Sequence, residues 1–157
     1  MTITFRFEEN PAVITRLNAV VQNDHAARHP DVFLEHDFNR LLPWFTAQLA
    51  NDNVQALGVY DGEQPIGYAL LMLRRVNAEN PFQQEGYQNL LIDQMSILPN
   101  YQNQGIGKQL LEKIFAHAKE QGIRRVQLSV WSDNSQAIHL YEKMGFETYM
   151  QRLEIKL

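Results

Sequence analysis

Apolar positions along the chain switch between two spacings, and the switches predict the elements. Residues 2–7, TITFRF, alternate like a strand. Asn10-Pro11 then marks a helix start, with Ile14, Leu17, Val20 and Val21 at helical spacing as far as about Arg28. Pro30 breaks the stretch HPDVFLEHDF. After it, Phe38, Leu41, Leu42, Phe45 and Leu49 resume a helical stripe that Pro43 is expected to kink or shorten. VQALGVY and PIGYALLMLRRV follow as two strands joined at Asp61-Gly62-Glu63-Gln64, since Asp-Gly between apolar runs marks a hairpin. A polar loop over residues 77–89 leads to a further strand, NLLIDQMSIL, stopped by Pro99-Asn100. Ile106, Leu110, Leu111, Ile114, Phe115 and Ala118 form one face of the next helix, which ends at Gly122. Arg125 to Trp131 alternates as a strand. A helix through Ala137, Ile138, Leu140, Tyr141 and Met144 follows and stops at Gly145. The tail FETYMQRLEIKL again alternates, with a break near Tyr149.

Strand and helix therefore interleave in a mixed α/β order along 157 residues, with no repeat, linker or low-complexity segment. That length predicts one domain, 1–157, able to bury roughly 70% of its unfolded surface without staples. A net charge of -4 leaves no broad basic face, so nucleic acid is not expected as a partner. The absence of cysteine excludes disulfides, thiolate metal sites and a cysteine nucleophile. The N-terminus alternates and carries charge early, unlike a signal peptide, and no apolar run reaches about 18 residues. A soluble cytoplasmic protein, with no membrane partner, is the expectation.

The stretch PNYQNQGIGKQL carries the candidate chemistry. It turns a strand into a helix, and in such a turn backbone N–H groups converge where the helix dipole is positive, a setting that suits an anion. Glycine permits close backbone approach and positive φ, and Lys108 adds a charge beside phosphates. A Walker loop would require glycine where Gln102 stands and Ser or Thr where Gln109 stands. A dinucleotide fingerprint would require glycine in place of Leu110. Neither nucleotide motif is present, and a glycine-rich helix start without a ligand remains open on the spacing alone.

Two flanking signatures resolve the choice. Gln102-Asn103-Gln104-Gly105-Ile106-Gly107 follows a strand that ends in a proline turn, and Asn134, Ala137 and Tyr141-Glu142-Lys143-Met144-Gly145-Phe146 lie downstream. In this order and spacing the segment of about sixty residues resembles the GNAT superfamily of acetyl-CoA-dependent N-acetyltransferases. The resemblance implies a central, mostly antiparallel twisted sheet of six to seven strands flanked by about four helices and splayed between the fourth and fifth strands. It implies that acetyl-CoA is the acetyl donor, that the turn from Gln102 to Lys108 binds the coenzyme with its amides from about Gln104 to Lys108 on the pyrophosphate, and that Asn134 touches the coenzyme. Backbone groups at Met95 and Ile97 would bond the pantetheine arm. It further implies that the Met95 amide polarises the carbonyl, that Tyr141 is the general acid, and that Asp93 stands where many relatives place a base. The N-terminal half matches only in its order of elements.

Other readings of these residues stay beside that one. The apolar phase moves from Ile92 to Met95 and Ile97, as a bulge at Asp93-Gln94 would produce, but burial on both sides explains it too. Tyr141 could simply pack with Ile138 and Met144, Asn134 could cap its helix, and Asp93 could attract a cationic acceptor without moving protons. Ser96 and Ser129 have no hydrolase elbow around them. HAARH lacks the glutamate of the metalloprotease motif, so no metal is expected. His29, Glu35, His36, Arg40 and Trp44 lie in the region that would close over the acceptor. The expected acceptor is a primary amine, with a small or polyamine-like one favoured over a protein N-terminus or lysine. A non-catalytic acyl-CoA-binding module is the rival class, and a homodimer through a strand edge in the tail is a further expectation.

Overall fold

The computed structural model describes residues 1–157. Strand β1 (Ile3–Phe7) is followed by helices α1 (Pro11–Arg28) and α2 (Phe38–Leu49). Strands β2 (Val54–Asp61), β3 (Gln64–Arg75) and β4 (Gln88–Ile97) form the centre of the sheet. Helix α3 (Ile106–Glu120), strand β5 (Val126–Leu128) and helix α4 (Ser135–Lys143) complete the order. The five strands lie in sequence order, antiparallel throughout except for the parallel pair β4 and β5.

Side chains alternate across the strands, so each face of the sheet collects its own core. On one face Val54, Ala56, Tyr68 and Leu70 pack under Ile14 and Leu17 of α1 and Phe45 of α2. On the other, Leu57, Val59, Ala69, Leu71, Leu90 and Ile92 meet Ile106, Leu110, Leu111 and Ile114 of α3. Each of these α3 side chains is at most 1% exposed and contributes roughly 1.5–3 kcal/mol by burial. Local signals fix the ends. Asn10 caps α1 by accepting from the Ala12 amide at 3.0 Å, with Pro11 opening the first turn, and Asp37 caps α2 through the Arg40 amide. Helix α2 continues through Pro43, whose ring faces solvent, so proline does not shorten it.

Two expectations need correction. The sheet has five strands, not six to seven, because residues 147–157 pair with nothing. Alternation makes a strand only where an edge accepts its hydrogen bonds, and this tail makes no backbone hydrogen bond. Leu153 and Ile155 consequently stand 89% and 81% exposed. Strand β5 also stops at Leu128, short of the expected Trp131. No helix is long and apolar enough to cross a membrane.

Candidate active site

The site begins with a change of phase in β4. Leu71 pairs with Ile92 but Leu70 pairs with Gln94, so Asp93 is an extra residue with no partner on β3. The amide of Leu90 donates to Arg125 O on the β5 side, while the amide of Leu98 donates to Ile66 O on the β3 side. Without the bulge those two even-numbered amides would point the same way. With it, counting back from Leu98 by twos turns Ser96 and Gln94 toward β3, and Met95 and Ile97 toward β5.

Strand β5 does not meet them there. It pairs with β4 only from Leu90 to Ile92, so β4 beyond the bulge borders a cleft. This is the splay expected between the fourth and fifth strands.

Buried polar side chains hold the bulge from behind. The Tyr68 hydroxyl donates to Gln94 Oε1 at 2.6 Å, and Asn18 Nδ2 lies 3.2 Å from that hydroxyl and 3.1 Å from the same Gln94 oxygen. Tyr68 is 0% and Asn18 2% exposed, and the Asn18 Oδ1 has no partner. Burial pushes the Tyr68 phenol far above its ordinary range, so it remains a donor at any working pH. The sequence hid this network: Asn18 sits among the apolar positions of α1 and Tyr68 inside an apolar run.

Asp93 itself reaches the surface. Crowding raises its carboxyl above the ordinary range, opposed by its hydrogen bond with Gln94 and by the Arg74 guanidinium.

The turn after β4 follows at once. Pro99–Tyr101 forms one turn of 3-10 helix, Asn103 and Gly105 adopt positive φ of 59° and 77°, and α3 starts at Ile106. The amides of Tyr101 and Gln102 donate to Leu98 O and Pro99 O, and the next to find an acceptor is that of Gln109, on Gly105 O; the amides of Asn103 through Lys108 have none in the chain. They lie at the positive end of a helix of 15 residues that has no side-chain cap. A Cβ on Gly105 would meet nothing within 4 Å, so the cradle opens to solvent there. These features suit an anionic group of pyrophosphate size.

Side chains of the turn mostly tie it down. Gln102 Nε2 donates to Ile97 O at 2.8 Å and Gln104 Nε2 to Asn100 O at 2.8 Å, while Lys108 lies 3.8 Å from Glu112. Helix α4 then closes the group. A Cβ on Gly107 would lie 3.4 Å from Leu140 Cδ2 and 3.7 Å from Met95 Cε, so β4, α3 and α4 converge at that residue. Gln136 Nε2 reaches Asn103 Oδ1 at 3.2 Å, and Asn134 caps α4 by accepting from the Ala137 amide at 3.2 Å. Tyr141 follows Leu140. Its ring stands edge-on to Phe146 at 5.7 Å against the α3 core, and burial raises its phenol above the ordinary range.

On the α1 side, His29 stacks on Trp131 at 4.0 Å and its Nε2 lies 3.2 Å from Asp133 Oδ2, so the end of α1 meets the segment between β5 and α4. Phe33 stands edge-on to the same Trp131 at 5.6 Å. The other residues considered for the acceptor wall do different work. His36 Nε2 contacts Thr15 O at 2.8 Å, Arg40 bonds Glu35 O, and Trp44 packs on Phe45. Trp131 and Phe33, which the sequence did not single out, join His29 there.

Comparison with known proteins fits this geometry. The model of the acetyltransferase (GNAT) family matches residues 18–146, and the chain belongs to that family. It is 33% identical over 109 residues to the [ribosomal protein bS18]-alanine N-acetyltransferase of Haemophilus influenzae, covering 68% of this chain and 66% of that protein. It is 31% identical over 109 residues to N-alpha-acetyltransferase RimI of Mycobacterium tuberculosis, covering 67% of this chain and 62% of that one. The alignments thus span just under two thirds of these relatives' lengths. Among solved structures, a tetramutant of the BH1408 protein of Bacillus halodurans superposes over the whole of both chains with TM-score 0.86 at 20% identity. An aminoglycoside N-acetyltransferase, AAC(6')-Iy, in complex with CoA superposes with TM-score 0.75 at 14% identity, over 99% of this chain and 95% of that one. At such identities the likeness shows the fold.

Proposed function

We propose that this protein transfers acetyl from acetyl-CoA to a primary amine by direct attack. The observation that carries the reading is the row of acceptorless amides from Asn103 to Lys108, set at the end of a β4 edge that β5 leaves open.

In this reading the turn amides take the pyrophosphate, and the outward amides of Met95 and Ile97 bond the pantetheine arm as an added strand would. Acetyl-CoA supplies a thioester carbonyl. The amine nitrogen bonds to its carbon and the carbon–sulfur bond breaks. The Met95 amide stabilises the oxygen as it gains charge. Tyr141, kept protonated by burial, gives its proton to the departing sulfur. Asp93 receives the amine's proton, a task suited to a carboxyl raised above its ordinary range. Gln102, Gln104 and Asn134 serve by holding the turn and α4 in place.

The acceptor we favour is the N-terminal amine of a peptide. The names of the two aligned relatives support this choice over a polyamine.

Thiol release from acetyl-CoA, followed with a thiol-reactive dye over a panel of peptides, lysine derivatives and polyamines, tests the activity. Release with at least one amine is expected. Tight acetyl-CoA binding with no release on any acceptor would point instead to a non-catalytic acyl-CoA-binding module.

A further inference from the structure

A second cavity, of about 340 Å³, opens at the far end of the β3–β4 hairpin, under the loop of residues 76–87. Its wall is polar and basic: Arg74, Arg75, Asn80, Gln83, Tyr87 and Asn89 line it. Neither guanidinium has an ion pair or hydrogen bond in the chain, although the protein as a whole is acidic and the loop carries Glu79 and Glu85. A third guanidinium, that of Arg125, lies over the Tyr87 ring at 5.2 Å. Asn89 pairs with Arg74 across the ladder, is 6% exposed, and leaves its Oδ1 buried without a donor. A buried acceptor without a partner destabilises the chain, and a ligand N–H would relieve that cost.

The cavity thus offers unpaired guanidiniums to an anion and one buried oxygen to an N–H. A peptide carries both groups, as an acidic side chain and a backbone amide. The position fits the reaction as well. Arg74 is close enough for its charge to act on Asp93, and Asn89 lies four residues up β4 from the bulge, roughly 13 Å away along an extended strand. An extended peptide covers that distance in about four residues.

The geometry points to an acidic-peptide subsite: with the N-terminal amine at the Asp93 bulge, an Asp or Glu about three or four residues along lies against Arg74, on the face that Arg74 shares with Asn89, with the neighbouring Arg75 adding its charge, and its backbone N–H bonds Asn89 Oδ1. This rests on the acetyltransferase reading and names its acceptor class. A polyamine would place a second ammonium against the two guanidiniums, so the slight overall acidity is a poor guide to the acceptor.

The test uses the full chain and peptides that share one N-terminus but carry Glu, Gln or Lys at the third and fourth positions. Thiol release should give kcat/KM at least tenfold higher for the Glu peptide than for the Gln peptide, with the Lys peptide lowest. In Arg74→Gln and Arg75→Gln variants the Glu-to-Gln ratio should fall toward one while acetyl-CoA affinity holds. Turnover without an acidic preference, or a preference that survives both substitutions, overturns the subsite and leaves the transferase reading standing. If no amine is turned over, that reading fails, and fluorescence anisotropy of the labelled Glu and Gln peptides still decides the subsite: equal affinity overturns it.

Discussion

Replacing Gly105 with alanine separates ligand contact from backbone strain. Gly105 sits at φ 77°, where an L side chain costs about 1–2 kcal/mol, and an added Cβ meets nothing within 4 Å, so no clash adds to that cost. For a chain of this length the melting temperature should drop by about 2–8 °C. The effect on acetyl-CoA is separate, because a methyl here stands in the open mouth of the cradle. Loss of one hydrogen bond to a charged phosphate is worth about 1.5–3 kcal/mol, or roughly a ten- to hundredfold weaker Kd. Gly122 supplies the control. It lies beyond the other end of α3 at φ 71°, again with nothing within 4 Å of a built Cβ. Thermal melts and calorimetric titrations with acetyl-CoA on Gly105→Ala and Gly122→Ala should therefore show similar destabilisation in both but weakened binding only in the first. Equal Kd values for the two variants would refute the cradle.

Other outcomes follow from the same geometry. Tyr141→Phe should lower turnover by about 10²–10⁴-fold with little change in acetyl-CoA affinity, and unchanged turnover would remove the proton-donor role. Asp93→Asn should melt higher than wild type at pH 7. A carboxyl whose folded pKa is raised adds stability only at low pH and loses it as pH rises through that value, so the difference should vanish below pH 3.8; a variant less stable at pH 7 contradicts this. The tail, with Leu153 and Ile155 exposed and none of its backbone groups paired, should drive self-association at high concentration. Leu153→Lys with Ile155→Lys should reduce it in light scattering, and an unchanged mass would count against the tail as a contact.

The fold was legible wherever spacing alone decides an element. Asn10-Pro11, Asp61-Gly62 and the α3 face each mark local structure without reference to distant residues. The bulge was half legible: the phase shift from Ile92 to Met95 signalled it, but burial on both sides gave the same pattern until the Leu70–Gln94 register separated them. The tail misled because alternation describes a strand's faces and says nothing of its partners. Nor could spacing bring Asn18 to Gln94 or Arg74 to Asn89, since those meetings depend on how helix and strands pack.

The most direct test of the account is a titration of the isotope-labelled protein with acetyl-CoA, read at each backbone amide by NMR. The amides of Asn103 to Lys108, with those of Met95 and Ile97, should show the largest shifts, while those of Gly122 and of residues 147–157 stay still. Saturable binding that leaves the Asn103–Lys108 amides unmoved would contradict the assignment of this turn as the pyrophosphate cradle.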